Sequence, residues 1–323
     1  MNLMKKIPGG QIIVPMLLAM IVNTILPSFQ EIGGSTAALF QKGSQAMMGL
    51  FLITCGASIK IKEAGVPLYK GSVLLVLKLV LGGAAGWLAN DLLGIYGAFG
   101  LTPFALFCAL PSNNSSLYVA LCDKYGDDSD KGAVSVLALK NGPFGSMLIM
   151  GMSGVAHIPA TDMIGTLIPI LIGFVWGNLD ENFRTLCLNS QPLVIIFQSF
   201  AIGASSSLHT LWSAGFSGVL LGIVSLVLGI MIQFAYRFFL RKKSPLGVSM
   251  GTVAANSALT PSIIASADPV FHSMVSTVSA QCAAASIVTM VICPFLVSFF
   301  NRQIIKTQGA NPAAGAPVSP ENE

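Results

Sequence analysis

The sequence predicts an all-α polytopic membrane protein of about ten transmembrane helices, arranged as two inverted five-helix repeats with broken helices in each half. Three observations predict it. Hydrophobic residues make up 54% of the 323 residues and charged residues only 9%, where soluble domains carry roughly 25% charge. Apolar stretches of about 20 residues, the length that crosses a bilayer as a helix, use up most of the chain. Short sequence echoes recur in the same order in the two halves.

In chain order, the first half holds spans at Ile7–Leu26, Ala46–Ile59, Ser72–Leu93, Ile95–Cys122 and Ala133–Ala156. The second half holds Met163–Leu179, Leu193–Leu208, Trp212–Phe234, Leu246–Ala267 and Val275–Phe300. The second and seventh are short, so hydropathy alone also allows eight or nine crossings. Charge decides for ten. With the N-terminus inside, 14 of the 17 basic residues fall on the cytoplasmic side, the exceptions being Lys42, Lys78 and Lys140. That is the bias expected of an inner-membrane protein with both termini cytoplasmic. The first span follows Lys5 and Lys6 but has no small-residue cleavage site, so it reads as a retained helix. Residues 1–306 form one membrane domain, with repeats at 7–156 and 163–300. The stretch 307–323, rich in Ala, Pro, Gly and Asn, reads as a disordered cytoplasmic tail.

The formal charge of +4 is spread over cytoplasmic loops and sets orientation, so the bilayer and not a nucleic acid is the expected partner. The six cysteines have no CxxC spacing, and five lie in or at the ends of spans, with Cys187 in a short cytoplasmic connection. Free thiols packed as small hydrophobes are expected, with no metal framework. A homodimer is left open.

The repeat rests on three echoes. Ile13-Val14-Pro15-Met16-Leu17-Leu18 in the first span resembles Leu167-Ile168-Pro169-Ile170-Leu171-Ile172 in the sixth. Cys55-Gly56-Ala57-Ser58 resembles Ile202-Gly203-Ala204-Ser205, and Asn114-Ser115-Ser116-Leu117 resembles Asn256-Ser257-Ala258-Leu259. Their order is the same at spacings of 154, 147 and 142 residues. An odd number of spans per unit inverts the second copy. Shared apolar composition is the competing explanation of the echoes.

The chemistry is expected where the helices break. The run Pro111-Ser112-Asn113-Asn114-Ser115-Ser116 interrupts the fourth span, and Ala255-Asn256-Ser257-Ala258-Leu259-Thr260-Pro261 interrupts the ninth. Proline removes a backbone donor, and Asn and Ser side chains compete for backbone groups, which favours two half-helices over a continuous rod. Unwound backbone persists in a membrane only inside protein or along a wet cavity. Half-helix N-termini suit an anion, while unwound carbonyls and side-chain oxygens suit a cation. Kinks serving packing alone are the structural alternative. Asn113, Asn114, Ser115, Ser116, Asn256, Ser257 and Thr260 are the substrate-binding candidates from the breaks. Lys140 and Asn141, in the loosened Lys140-Asn141-Gly142-Pro143, join them as a charge for a carboxylate. Lys78 and Gln281 are mid-span polar groups with either a coupling or a structural role, because a buried charge normally faces a partner or water. All 13 acids lie in loops, tails or span ends, so coupling would need a lysine, the substrate's own carboxylate, or a cation held by neutral oxygens.

With Ile7-Pro8-Gly9-Gly10, Gly56-Ala57-Ser58-Ile59-Lys60, the Lys78 span, Gly142-Pro143, and Gly173-Phe174 leading to Gly177-Asn178-Leu179-Asp180, the chain resembles the 2-keto-3-deoxygluconate permease family from about Ile7 to Arg302. The resemblance implies a bacterial inner-membrane proton symporter for a sugar acid. It also implies an architecture similar to bile-acid sodium symporters and auxin-efflux carriers. In that architecture the broken helices cross mid-membrane in a core of spans 3, 4, 5, 8, 9 and 10, which moves against a panel of spans 1, 2, 6 and 7. The family commonly has acids where this chain has Lys140 and Pro111, so a fixed ammonium can stand in for a coupling cation.

The expected function is an elevator-type secondary carrier of a small organic anion, such as a sugar acid. It needs no cofactor beyond a coupling proton, with sodium coupling or uncoupled transport as alternatives. No catalytic residue is assigned. His157, His209 and His272 are scattered near outer ends, no HExxH or intramembrane Asp pair occurs, and Asp127-Asp128-Ser129-Asp130 reads as a solvated loop, which leaves an intramembrane enzyme without support. A passive channel would be distinguished by substrate-free ion currents.

Overall fold

The computed structural model describes residues 10–26, 32–40, 43–60, 65–137, 143–204, 208–240 and 244–309. Among them the regular structure is helical, apart from an isolated bridge between Ala98 and Leu101. In chain order the helices are α1 (Gly10–Ile25), α2 (Gly34–Phe40), α3 (Ser44–Ser58), α4 (Val66–Leu93), α5 (Pro103–Ala109), α6 (Ser115–Tyr125), α7 (Asp128–Leu137), α8 (Phe144–Met152), α9 (Ala160–Leu179), α10 (Glu181–Ala204), α11 (Leu208–Leu240), α12 (Thr260–Ala267) and α13 (Val275–Gly309). Three 3-10 turns, Leu246–Gly251, Ala255–Leu259 and Pro269–Met274, lie between α11 and α13.

Four segments among the described residues are long and apolar enough to cross a bilayer, Val66–Leu93, Ala160–Leu179, Gly215–Phe239 and Pro269–Lys306. The molecule is an all-α membrane protein. Its long helices keep large apolar side chains on the outside, such as Val80 on α4, Ile168 and Trp176 on α9, Val227 on α11 and Phe295 on α13. That surface suits lipid, which solvates hydrocarbon without penalty. Inside, Phe104, Phe107, Leu221, Val253 and Val278 form the largest buried cluster, around the broken segments.

The helices pack in two groups. In one, α3 lies on α9 and α10, and α1 lies on α10. In the other, α11 packs on α13 and the 246–251 turn, and α4 packs on α7 and α5. Small residues set the seams of the first group. A Cβ added at Gly56 would stand 2.0 Å from the Ile170 carbonyl oxygen, and one at Gly173 2.0 Å from that of Ile53. A Cβ at Gly203 would stand 2.2 Å from the carbonyl oxygen of Met16. Only glycine lets these backbones approach so closely, the usual device of helix pairs in membranes. Beyond the α3–α9 seam, Arg184 is buried. It donates to the Ala57 carbonyl at 3.1 Å and to Asn178 Oδ1 at 3.1 Å, and pairs with Glu181. Asn178 in turn donates to the Ile59 carbonyl at 2.8 Å. The motifs around Gly56 and Gly177-Asn178 therefore form one joint.

Four readings of the sequence need correction. The stretch Asp127 to Asp130 is solvated only in part: Asp127 is exposed, but Asp128 opens α7 and Asp130 is 2% exposed. Lys70, two residues ahead of the expected span at Ser72, is not in a loop. It lies buried in the first turns of α4, where its ammonium is 2.6 Å from Asp130 and 2.8 Å from Asp127. Tyr236 of α11 donates to the same Asp130 oxygen at 3.1 Å. The alternation of charge along the sequence gives no hint that residues 60 positions apart neutralise each other, which is why hydropathy left both in solvent. Cys187 sits inside α10 and not in a connection, because α10 starts at Glu181, well ahead of the apolar stretch at Leu193. Finally, α13 continues to Gly309, past the expected start of the tail at 307.

Candidate substrate site

The fourth apolar stretch is two helices. Thr102 caps α5, its hydroxyl accepting the Ala105 N–H at 3.2 Å, and Pro103 occupies the first turn, where its missing donor costs nothing. Pro111 cannot donate back to the preceding turn, so α5 closes there. Asn114 then opens α6 as its N-cap, with Oδ1 accepting the Leu117 N–H at 2.9 Å. In the ninth stretch the chain is extended at Thr252 and Ala254, between the two 3-10 turns, before Pro261 enters the first turn of α12. This second break begins at Thr252, three residues ahead of the stretch that composition marks, because two 3-10 turns replace the expected half-helix.

The two breaks touch. The Asn114 N–H donates to Thr252 Oγ1 at 3.0 Å, and the Ala254 N–H donates to Ser112 Oγ at 3.3 Å. Each hydroxyl works twice, since Ser112 donates to the Ala109 carbonyl at 2.8 Å and Thr252 to the Ser249 carbonyl at 2.8 Å. The Val253 N–H is taken by Thr289 of α13 at 3.0 Å, and the Gly251 carbonyl by Ser225 of α11 at 2.8 Å. Backbone that the breaks free is thus satisfied by protein, as a membrane interior demands. Ser112, Thr252, Thr289 and Ser225 were absent from the candidate residues. The first two could have been found as hydroxyls inside or just before a helix break; the last two, on continuous helices, carry no local signal.

Of the candidates, Asn113 is fully buried, and among the described residues neither its Oδ1 nor its Nδ2 has a hydrogen-bond partner. An unsatisfied buried polar group costs about 1–3 kcal/mol, so this amide is either a standing cost or half of an interaction with a ligand. Asn114 is spent on capping α6 and joining the breaks, while Ser115 occupies the first turn of α6. Ser116 follows it in the helix. Asn256 lies half-buried in the 255–259 turn, and Ser257, 2% exposed, donates to the Ala254 carbonyl at 2.7 Å. Thr260 is buried at the start of α12. Lys140 and Asn141 lie outside the described residues. Lys78 is fully buried, and its ammonium donates to the Met250 carbonyl beside the second break. It braces unwound backbone at the edge of the second break. Gln281 is elsewhere in its bonding: Nε2 donates to the Gly100 carbonyl at 2.7 Å and to Ser217 Oγ at 2.8 Å, tying α13 to α11 and the 94–102 loop.

The crossing therefore combines two half-helix N-termini, a buried ammonium, an unpartnered amide and no carboxylate between residues 110 and 116 or 252 and 260. Its electrostatics favour an anion with hydrogen-bonding groups. Ser112, Asn113, Ser257 and Thr260 are buried, while Asn114, Ser115 and Asn256 at the same crossing are half-buried.

Comparisons with known proteins agree in kind. A family model described as 2-keto-3-deoxygluconate permease matches residues 1–306. The 2-keto-3-deoxygluconate permease 1 of Salmonella typhimurium is 34% identical over 306 residues, covering 94% of this chain and 96% of its own. The 2-keto-3-deoxygluconate permease of Xanthomonas euvesicatoria pv. vesicatoria is 31% identical over 311 residues, covering 94% and 98%. That of Escherichia coli O157:H7 is 30% identical over 309 residues, covering 94% of each chain. The match extends over residues 1–306, and the chain belongs to the 2-keto-3-deoxygluconate permease family, as a transporter and not an enzyme.

Proposed function

We propose that this protein is a secondary transporter that imports 2-keto-3-deoxygluconate across the bacterial inner membrane, in symport with protons and by an elevator movement. The observation that carries the reading is the contact between the breaks, Asn114 to Thr252 and Ala254 to Ser112, beside the unpartnered amide of Asn113. A sugar acid brings a carboxylate for the positive helix ends and hydroxyls for neutral side chains. The names of the relatives supply the substrate, and the bonding preferences of the crossing agree with it.

The elevator reading draws support from the packing. The α1, α3, α9 and α10 group corresponds to the first, second, sixth and seventh spans, the panel. The remaining long helices gather around the breaks as the core. Inverted duplication and ten crossings draw support from equivalent contacts. Gly56 of α3 abuts Ile170, and Gly203 of α10 abuts Met16. Gly56 and Gly203 are echo partners, and so are Met16 and Ile170, each following its proline. Ser112 and Ala254, which bond to each other, are separated by 142 residues, the spacing of the Asn114 and Asn256 echo. A two-fold relation between halves generates such pairs.

With no carboxylate at the crossing, the coupling proton is carried by Lys140 or by the substrate, and both termini are cytoplasmic. Uptake of labelled 2-keto-3-deoxygluconate into membrane vesicles tests the reading. Saturable uptake driven by an inward proton gradient and abolished in Asn114→Ala and Lys140→Ala is expected. Unchanged uptake in both variants would remove the proposed site, and dependence on sodium instead of a proton gradient would replace the coupling ion.

A further inference from the structure

A second buried amide stands without a partner among the described residues. Gln198 of α10 is 0% exposed, and neither Oε1 nor Nε2 has a hydrogen-bond partner there. Its neighbour Ser199, equally buried, is satisfied by the Ile195 carbonyl at 2.7 Å. Position on the helix says what Gln198 faces. At about 100° per residue, Gln198 falls between Val194 and Ile195 and one turn beyond them. Gln191, on the same stripe, reaches Cys55 Sγ of α3 at 3.6 Å. Val194 and Ile195 pack on the cluster formed by Met48, Phe51, Leu52, Cys55 and Leu259. Leu259 closes the 255–259 turn of the second break, and α10 packs directly on that turn. Gln198 therefore lies on the stripe of α10 that packs on α3 and, through Leu259, meets the second break.

One orphaned amide, Asn113, lies in the first break, and the other, Gln198, lies on the panel-side stripe that meets the second break. A primary amide offers two N–H donors and an acceptor oxygen without charge, a set that matches hydroxyls and carboxylate oxygens. Amides held dry and unpaired are favourable only if something with polar atoms visits them. We infer that Gln198 is a substrate-binding residue, contacting the hydroxyl-bearing part of a sugar acid that Asn113 contacts from the opposite side. The inference rests on the proposed function and adds to it a residue from the panel side of the site. Because Gln198 and the breaks belong to different packing groups, this contact exists only while the two groups are apposed as they are here, so it selects the substrate in one state of the cycle.

The test uses the full chain, purified for thermal melting with and without 2-keto-3-deoxygluconate, and reconstituted for uptake. Gln198→Leu and Gln198→Met remove the amide; Met, close to Gln in length, decides if Leu disturbs folding. The expected result is a ligand-free melting temperature equal to or above that of the wild type, a lost ligand-induced shift, and a KM at least tenfold higher. A lowered melting temperature with wild-type KM would make Gln198 structural and overturn the inference. Asn113→Leu separates the two readings. If it loses uptake while both Gln198 variants keep wild-type KM, the inference falls and the proposed site stands. If all three keep wild-type KM, or if the wild type neither shifts nor takes up the compound, the site itself falls and the inference with it.

Discussion

Replacing Gly56 with alanine tests the seam on which the panel group depends. The added Cβ would meet the Ile170 carbonyl oxygen at 2.0 Å, and real Cβ atoms essentially never come within 3.0 Å of another heavy atom, so α3 and α9 must part by about 1 Å at least. A gap of that size forfeits roughly a quarter to a half of the attraction of each contact along the seam. Overpacking of this kind costs typically about 1–3 kcal/mol, and here the upper end applies because the obstacle is backbone. Alanine returns about 1 kcal/mol through its better helix propensity. The net expectation is a loss of about 2 kcal/mol. Gly49, on the same helix, has nothing within 4 Å of its added Cβ, so Gly49→Ala should stabilise by about 1 kcal/mol. Unfolding of the two purified variants in detergent, by heat or denaturant, should therefore move in opposite directions, with Gly56→Ala also impaired in uptake. Equal stability of the two variants would refute the claim that backbone contact, and not helix propensity, fixes this glycine.

Other expectations are independent of that seam. Lys70→Met should destabilise by about 3–5 kcal/mol, because Asp130 is left buried without its cation; Lys70→Met with Asp130→Leu should recover much of the loss, read as a coupling energy in a double-mutant cycle. Asn114→Ala should cost about 0.5–2 kcal/mol through the lost cap of α6, in addition to its effect on uptake, and Asn114→Asp should restore the stability but not the uptake of an anion. Thr252→Val keeps the shape but leaves the Asn114 N–H without an acceptor, so a loss of about 1–3 kcal/mol is expected in unfolding measurements. Lys78→Met strips the donor from the Met250 carbonyl and should lower both stability and uptake; wild-type values for both would mean that the ammonium neither braces the second break nor contributes to anion binding.

The sequence by itself determined the helical class, the solvent the helices live in and the first break, because each depends on local properties. Helix length and apolarity follow from the thickness of the bilayer, and Pro111 and Asn114 act on the backbone within one turn. The family was legible for a related reason: the glycine and asparagine motifs around Gly56 and Gly177 are fixed by a backbone contact and leave a pattern. Partnership was not legible. Nothing near Lys70 in the sequence announces Asp130, nothing near Asn114 announces Thr252, and Gln198 reads as an ordinary polar residue in an apolar helix until its burial and its empty amide are seen. Those facts belong to the tertiary structure, because a hydrogen bond or ion pair is decided by which helix faces which, and residues more than a hundred positions apart are brought together only when the helices pack.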